Sequence, residues 1–193
     1  MKNSTLQAFI ERIKPVWGPL STEVVDQSRR QLEGLLKAPD AEEWLEALHQ
    51  EGPANKELYR DPSHGFILLA HTEQAGQYRP PHDHGRGWVI YGVQQGEMEI
   101  GTYARVQEPD GSGRLVLRET YLLRPGETRV YLPGDIHDTR CTTRCTTRCT
   151  TGPVLYYRFT DRDLKKEESE GHKITRYVQS NGVWTGGASC QLS

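Results

Sequence analysis

Between residues 56 and 160 the chain consists of short apolar runs, each closed by Gly or Pro, and this punctuation limits what it can fold into. Phe66–Ala70, Trp88–Tyr91, Glu97–Tyr103, Leu115–Leu123, Thr128–Leu132 and Val154–Phe159 have the character of strands. Gly96, Gly101, Gly111-Ser112-Gly113, Pro125-Gly126 and Pro133-Gly134 punctuate them, and Asp110–Gly113 reads as a hairpin loop. Many short strands at this spacing predict an all-β sandwich or barrel, here a jelly roll.

The flanks differ. Residues 1–55 predict a helical extension packed on the barrel. Leu6, Phe9, Ile10 and Ile13 recur at helical spacing after Ser4 or Thr5 and stop at Pro15. Leu32, Leu35 and Leu36 mark a second helix ending before Pro39. Asp40 with Glu43 suggests a capping box for a third helix that carries Trp44, Leu45 and Leu48. Residues 161–193 predict a C-terminal arm: a charged helix or loop over 161–170, then a last strand or arm over Lys173–Trp184.

A chain of 193 residues supports one domain with its own core. A net charge of −2 with no polybasic run argues against nucleic-acid or membrane partners. The longest apolar stretch, Phe66–Ala70, is far too short to span a bilayer. Met1-Lys2-Asn3 leads into polar residues without an apolar signal core, and the four cysteines read as reduced thiols. The expected location is cytoplasmic.

Within the strand region, Pro81-His82-Asp83-His84-Gly85 and Pro133-Gly134-Asp135-Ile136-His137 carry the chemistry. Two histidines one residue apart on a strand share a face, and a third after a Pro-Gly turn can close the site from an adjacent strand. Imidazole ligation suits iron, zinc, copper and nickel, and three neutral ligands leave positions open for substrate. Asp83 points to the opposite face and reads as structural. Glu97 and Glu99 read as outward-facing, and His64 and His71 as ordinary polar residues.

These motifs resemble the cupin signature. Gly76, His82, His84 and Gly96 match the first motif, and Gly126, Gly134 and His137 match the second, with Pro133 displaced by one position. The usual cupin glutamate falls at Gly87 or Trp88, so the fourth ligand is missing. A three-histidine site is similar to that of the cysteine dioxygenase-like thiol dioxygenases, a likeness that extends through Trp88-Val89-Ile90-Tyr91-Gly92. The resemblance covers roughly residues 56–160 and is nearest an uncharacterised bacterial branch.

The resemblance implies a cupin jelly-roll barrel holding Fe(II) on His82, His84 and His137, with Ni(II) or Zn(II) also compatible. It implies O2-dependent oxidation of a small thiol to a sulfinate. Leu58-Tyr59-Arg60 resembles the segment whose arginine holds the substrate carboxylate, with Tyr59 beside it and Trp88 at the pocket mouth. Tyr156 or Tyr157 is the expected hydrogen-bond donor to oxygen. The family's Ser-x-His-x-Tyr pattern is not preserved at Tyr156–Thr160, and no cysteine follows His84 for a Cys–Tyr crosslink. A homodimer is expected by analogy with jelly-roll cupins. Two alternatives stay open: a metal-dependent cupin acting on a non-thiol molecule, and a non-catalytic binding cupin.

Each site residue has a plainer reading. Arg60 is as readily an ordinary ion pair as a substrate anchor. Burial is the commoner fate of a strand tryptophan such as Trp88. The Thr-Thr-Arg-Cys repeat that places Cys141, Cys145 and Cys149 four apart reads as a duplicated loop. A second metal site on these thiols would lack the fourth ligand that structural zinc takes.

Overall fold

The computed structural model describes residues 4–109, 113–142 and 153–186. Its framework is two antiparallel sheets. One has the order β1-β2-β9-β4-β7, built from Lys56–Arg60 (β1), Ile67–Glu73 (β2), Val154–Thr160 (β9), Val89–Gln95 (β4) and Thr128–Tyr131 (β7). The other has the order β3-β8-β5-β6, from Tyr78–His82 (β3), Ile136–Cys141 (β8), Met98–Gln107 (β5) and Gly113–Leu123 (β6). The pairing is nested: β2 with β9, β3 with β8, β4 with β7, β5 with β6. Such nesting is what a long hairpin gives when rolled so that successive strands go to alternate sheets. The expected jelly roll is therefore present in the strand order itself.

The five-stranded sheet is covered on both faces, so its strands are apolar almost throughout. Phe66, Leu68, Ala70, Trp88, Ile90, Tyr157 and Phe159 face outward against the N-terminal helices. Val89, Tyr91, Val93, Val154 and Tyr156 face inward, against Met98, Ile100, Leu123 and Cys141.

The helices are α1 (Thr5–Ile13), α2 (Thr22–Leu35) and α3 (Glu43–Glu51). Ser4 caps α1, its Oγ accepting from Gln7 N at 3.2 Å, and a 3₁₀ turn at Lys14–Val16 ends it around Pro15. The end of α2 packs closely on β4: a Cβ on Gly92 would stand 2.9 Å from Leu36 Cδ1 and 3.2 Å from Leu32 Cδ2, so these leucine side chains would have to shift. Trp17 anchors the extension, its ring 5.7 Å from Trp88 and 4.7 Å from Phe66. The expected Asp40–Glu43 capping box does not form. The N-cap of α3 is Glu42, and its carboxylate instead accepts from Thr5 and from Trp44 Nε1, tying α3 to α1.

After β9 come α4 (Leu164–Ser169) and the hairpin of β10 (Tyr177–Ser180) and β11 (Val183–Gly186). Tyr177 and Trp184 cover the outer face of the four-stranded sheet with Leu115, Ile136 and Tyr103. Among the described residues no helix is long and apolar enough to cross a membrane. Cys145, Cys149 and the Asp110–Ser112 loop lie outside the described residues.

Candidate metal centre

His82 and His137 are direct partners across the β3–β8 ladder, and His84 follows just past the end of β3. The three rings form a near-equilateral group, with centroids 5.2, 4.8 and 5.0 Å apart. One ligand atom from each lies within 4.8 Å of the others. Among the described residues no carboxylate or thiol joins this group.

The local fold holds the rings in place. His82 Nδ1 lies 2.9 Å from the Pro80 carbonyl, which fixes the tautomer with Nε2 free to ligate. Asp83 is structural, as expected: its Oδ1 accepts from Gly85 N and Thr175 N, each at 2.9 Å. Gly85 turns the chain at φ 59, where an added Cβ would meet the Lys173 carbonyl at 2.7 Å. The segment before β10 thus straps the histidine loop. Tyr131 stacks on His137 with centroids 4.0 Å apart.

The three imidazoles hold no proton that a metal would have to displace. Burial lowers the pKa of all three histidines, His84 to about 2, and the charge of Arg158 pushes each in the same direction. The imidazoles are therefore neutral at physiological pH, with lone pairs available. Three neutral nitrogens, one oriented by a backbone carbonyl, fit a divalent transition metal such as iron, zinc or nickel.

The remaining residues expected at the site are dispersed. Trp88 and Tyr157 are on the helix side of their strands. Trp88 packs on Trp17 and Phe159, and Tyr157 on Trp44. Tyr59 belongs to the same outer core, its hydroxyl donating to Asp61 Oδ2 at 2.9 Å. Tyr156 does face inward, but its hydroxyl donates to the buried Glu73 at 2.8 Å. Arg60 bonds Glu57 through Nη2 at 2.7 Å and Asp163 through Nη1 at 2.8 Å. The ordinary ion pair is what the structure shows there. Glu97 is not outward-facing: it is buried and 3.7 Å from Arg124.

Two residues at the centre were not anticipated. The Tyr91 hydroxyl lies 3.3 Å from Nε2 of His84 and 3.5 Å from Nε2 of His137. Burial raises its pKa, so it stays a protonated donor. Arg158 stands directly across the ladder from Tyr91. The sequence does carry a signal for it, since a lone arginine in the apolar run Leu155–Phe159 is out of place in a strand buried on both faces. His71 is likewise more than an ordinary polar residue. It is buried against Tyr156, with centroids 5.0 Å apart, and its Nε2 has no partner.

No family model and no curated protein matches the sequence. Solved structures with a similar fold include the cupin domain of Schizosaccharomyces pombe Cnp3, 13% identical over 62% of this chain and 71% of that one, TM-score 0.42. L-ribose isomerase of Cellulomonas parahominis is 17% identical over 56% of this chain and 60% of its own, TM-score 0.44. A Bacillus halodurans protein is 13% identical over 64% and 82%, TM-score 0.45.

Proposed function

We propose that the protein is a metal-dependent dioxygenase of cysteine dioxygenase-like type that oxidises a small thiol to a sulfinate. The observation that carries this reading is a group of three neutral imidazoles, His84 and His137 buried and His82 half-buried, that no carboxylate joins among the described residues. Such a set adds no negative charge of its own and leaves several coordination positions for an anionic thiolate and O2. The sequence resemblance to the three-histidine thiol dioxygenases supports the same reading.

His82, His84 and His137 would hold the metal, Fe(II) on this reading. When bound, that ion supplies a lowered thiol pKa and a route for electrons from sulfur to O2. The balance is one thiol plus one O2 giving one sulfinic acid: both S–O bonds form on the same sulfur, sulfur is oxidised, O2 is reduced, and no further reductant is consumed. The chain's own residues orient and shield. Tyr91 presents a protonated hydroxyl beside His84 and His137, where it can donate to an anionic atom. Tyr131 covers one face of His137, and the inner-face apolar residues keep water out.

The test is oxygen consumption by iron-reconstituted protein against a panel of small thiols, with His137→Ala as control. Uptake with at least one thiol, absent in the control, is expected. No uptake with any thiol would refute the thiol reading and leave the metal centre standing.

A further inference from the structure

An interior-facing guanidinium without a carboxylate partner is unfavourable, and the inner face of β9 carries one: Arg158 is half-buried beside Tyr91. The Arg158 Nε is buried and has no hydrogen-bond partner. Arg158 sits between Leu69 of β2 and Tyr91 of β4 in the ladder, so it is the cross-strand neighbour of the tyrosine that touches two of the histidines. It also forms part of the wall of a cleft of about 240 Å³ that includes Ile67, Leu69, Thr160 and Leu164.

Two other arginines, Arg60 and Arg162, line this cleft, and both are matched. Arg60 bonds Glu57 and Asp163, and Arg162 bonds Asp161 at 2.8 Å. Among the described residues no carboxylate pairs with Arg158. Nearby, Glu73 does not supply the missing charge, since it is ion-paired with Arg79. Other buried polar atoms on inward-facing positions, His71 Nε2, Thr139 Oγ1 and His137 Nδ1 among them, also lack partners. Polar atoms left without a protein partner in one interior can be met by water or by a polar ligand.

We propose that Arg158 is the anion-binding residue of this chamber and that its ligand is a small carboxylate whose far end reaches the His82, His84 and His137 triad. A guanidinium edge, Nε with one Nη, matches the two oxygens of a carboxylate side-on. A cleft of about 240 Å³ lies below the usual size of ligand sites, roughly 300–1,000 Å³, and restricts the ligand to a few heavy atoms. The identity of the far end, a thiol, rests on the function proposed above; the anion site does not.

The test uses metal-free protein and two isosteric probes, propionate and propionamide, titrated calorimetrically. Propionate should bind at least about tenfold more tightly than propionamide. Arg158→Gln should abolish that preference, Arg158→Lys should restore part of it, and Arg60→Gln should leave it intact, with thermal unfolding used to verify that each variant is folded. Equal binding of both probes by the parent protein would overturn the proposal. So would a preference that survives Arg158→Gln or is lost in Arg60→Gln. If the propionate pattern holds while no thiol is oxidised, the anion site stands and the thiol reading falls.

Discussion

Replacing His71 by Gln should flatten the acid sensitivity of the metal-free protein. His71 is 5% exposed, with Nδ1 3.1 Å from the Ala54 carbonyl and its ring stacked on Tyr156. Burial, reinforced by the charge of Arg158, lowers its pKa from 6.5 to about 3. The unfolded chain takes up a proton near pH 6.5 and the folded protein does not until about pH 3. The sign follows: folding carries no penalty from this residue above pH 6.5, and stability is lost progressively as pH falls from there towards 3. Between about pH 7 and about pH 4.5 the loss is roughly 2.5 kcal/mol, from about 1.36 kcal/mol per pH unit below the unfolded pKa. Urea denaturation at both pH values gives each protein's own loss, so the pH-independent cost of the substitution cancels. With a slope of about 2 kcal/mol/M, the parent midpoint should fall by roughly 1 M more than that of the variant. Equal falls would show that His71 is not held neutral and would refute the reasoning.

Other outcomes follow from the same geometry. Tyr91→Phe should keep the metal, measured by elemental analysis, and lower turnover roughly 10–100-fold, because it removes the hydroxyl beside His84 and His137. Trp88→Ala should cost about 3–5 kcal/mol in denaturant unfolding yet leave KM unchanged, since the ring packs on Trp17 and not at the centre. Zinc affinity should fall less between about pH 7.5 and about pH 5 than it does for ligands of ordinary imidazole pKa, because burial lowers the pKa of all three histidines; an affinity that falls as steeply through pH 6.5 as theirs would contradict this.

The histidine set and the jelly roll were legible because both depend on local signals: His-x-His at a strand end, a third His after a turn, and glycines between apolar runs. What stayed hidden has one physical cause. A sheet covered on both faces gives strands without alternation, so Leu155-Tyr156-Tyr157-Arg158-Phe159 does not reveal which side looks inward. The tertiary fold puts Tyr157 and Trp88 under the helices and Tyr91 and Arg158 at the centre. The strands β3 and β8 are marked by their histidines alone and carry no apolar strand signal, for the opposite reason. Tyr-Arg-Pro-Pro-His and Ile-His-Asp-Thr-Arg-Cys carry prolines or polar side chains where a strand would ordinarily place apolar ones, and those polar positions include the ligands. Arg60 looked available because its partner Asp163 is distant in sequence.

The most direct test of the central claim is product analysis after turnover of the iron-loaded protein under isotopically labelled O2. The account predicts a sulfinate carrying both atoms of one O2 molecule, with product and oxygen in a one-to-one ratio and no product from His82→Ala. A disulfide accompanied by peroxide, or a sulfur product whose oxygen comes from water, would contradict it.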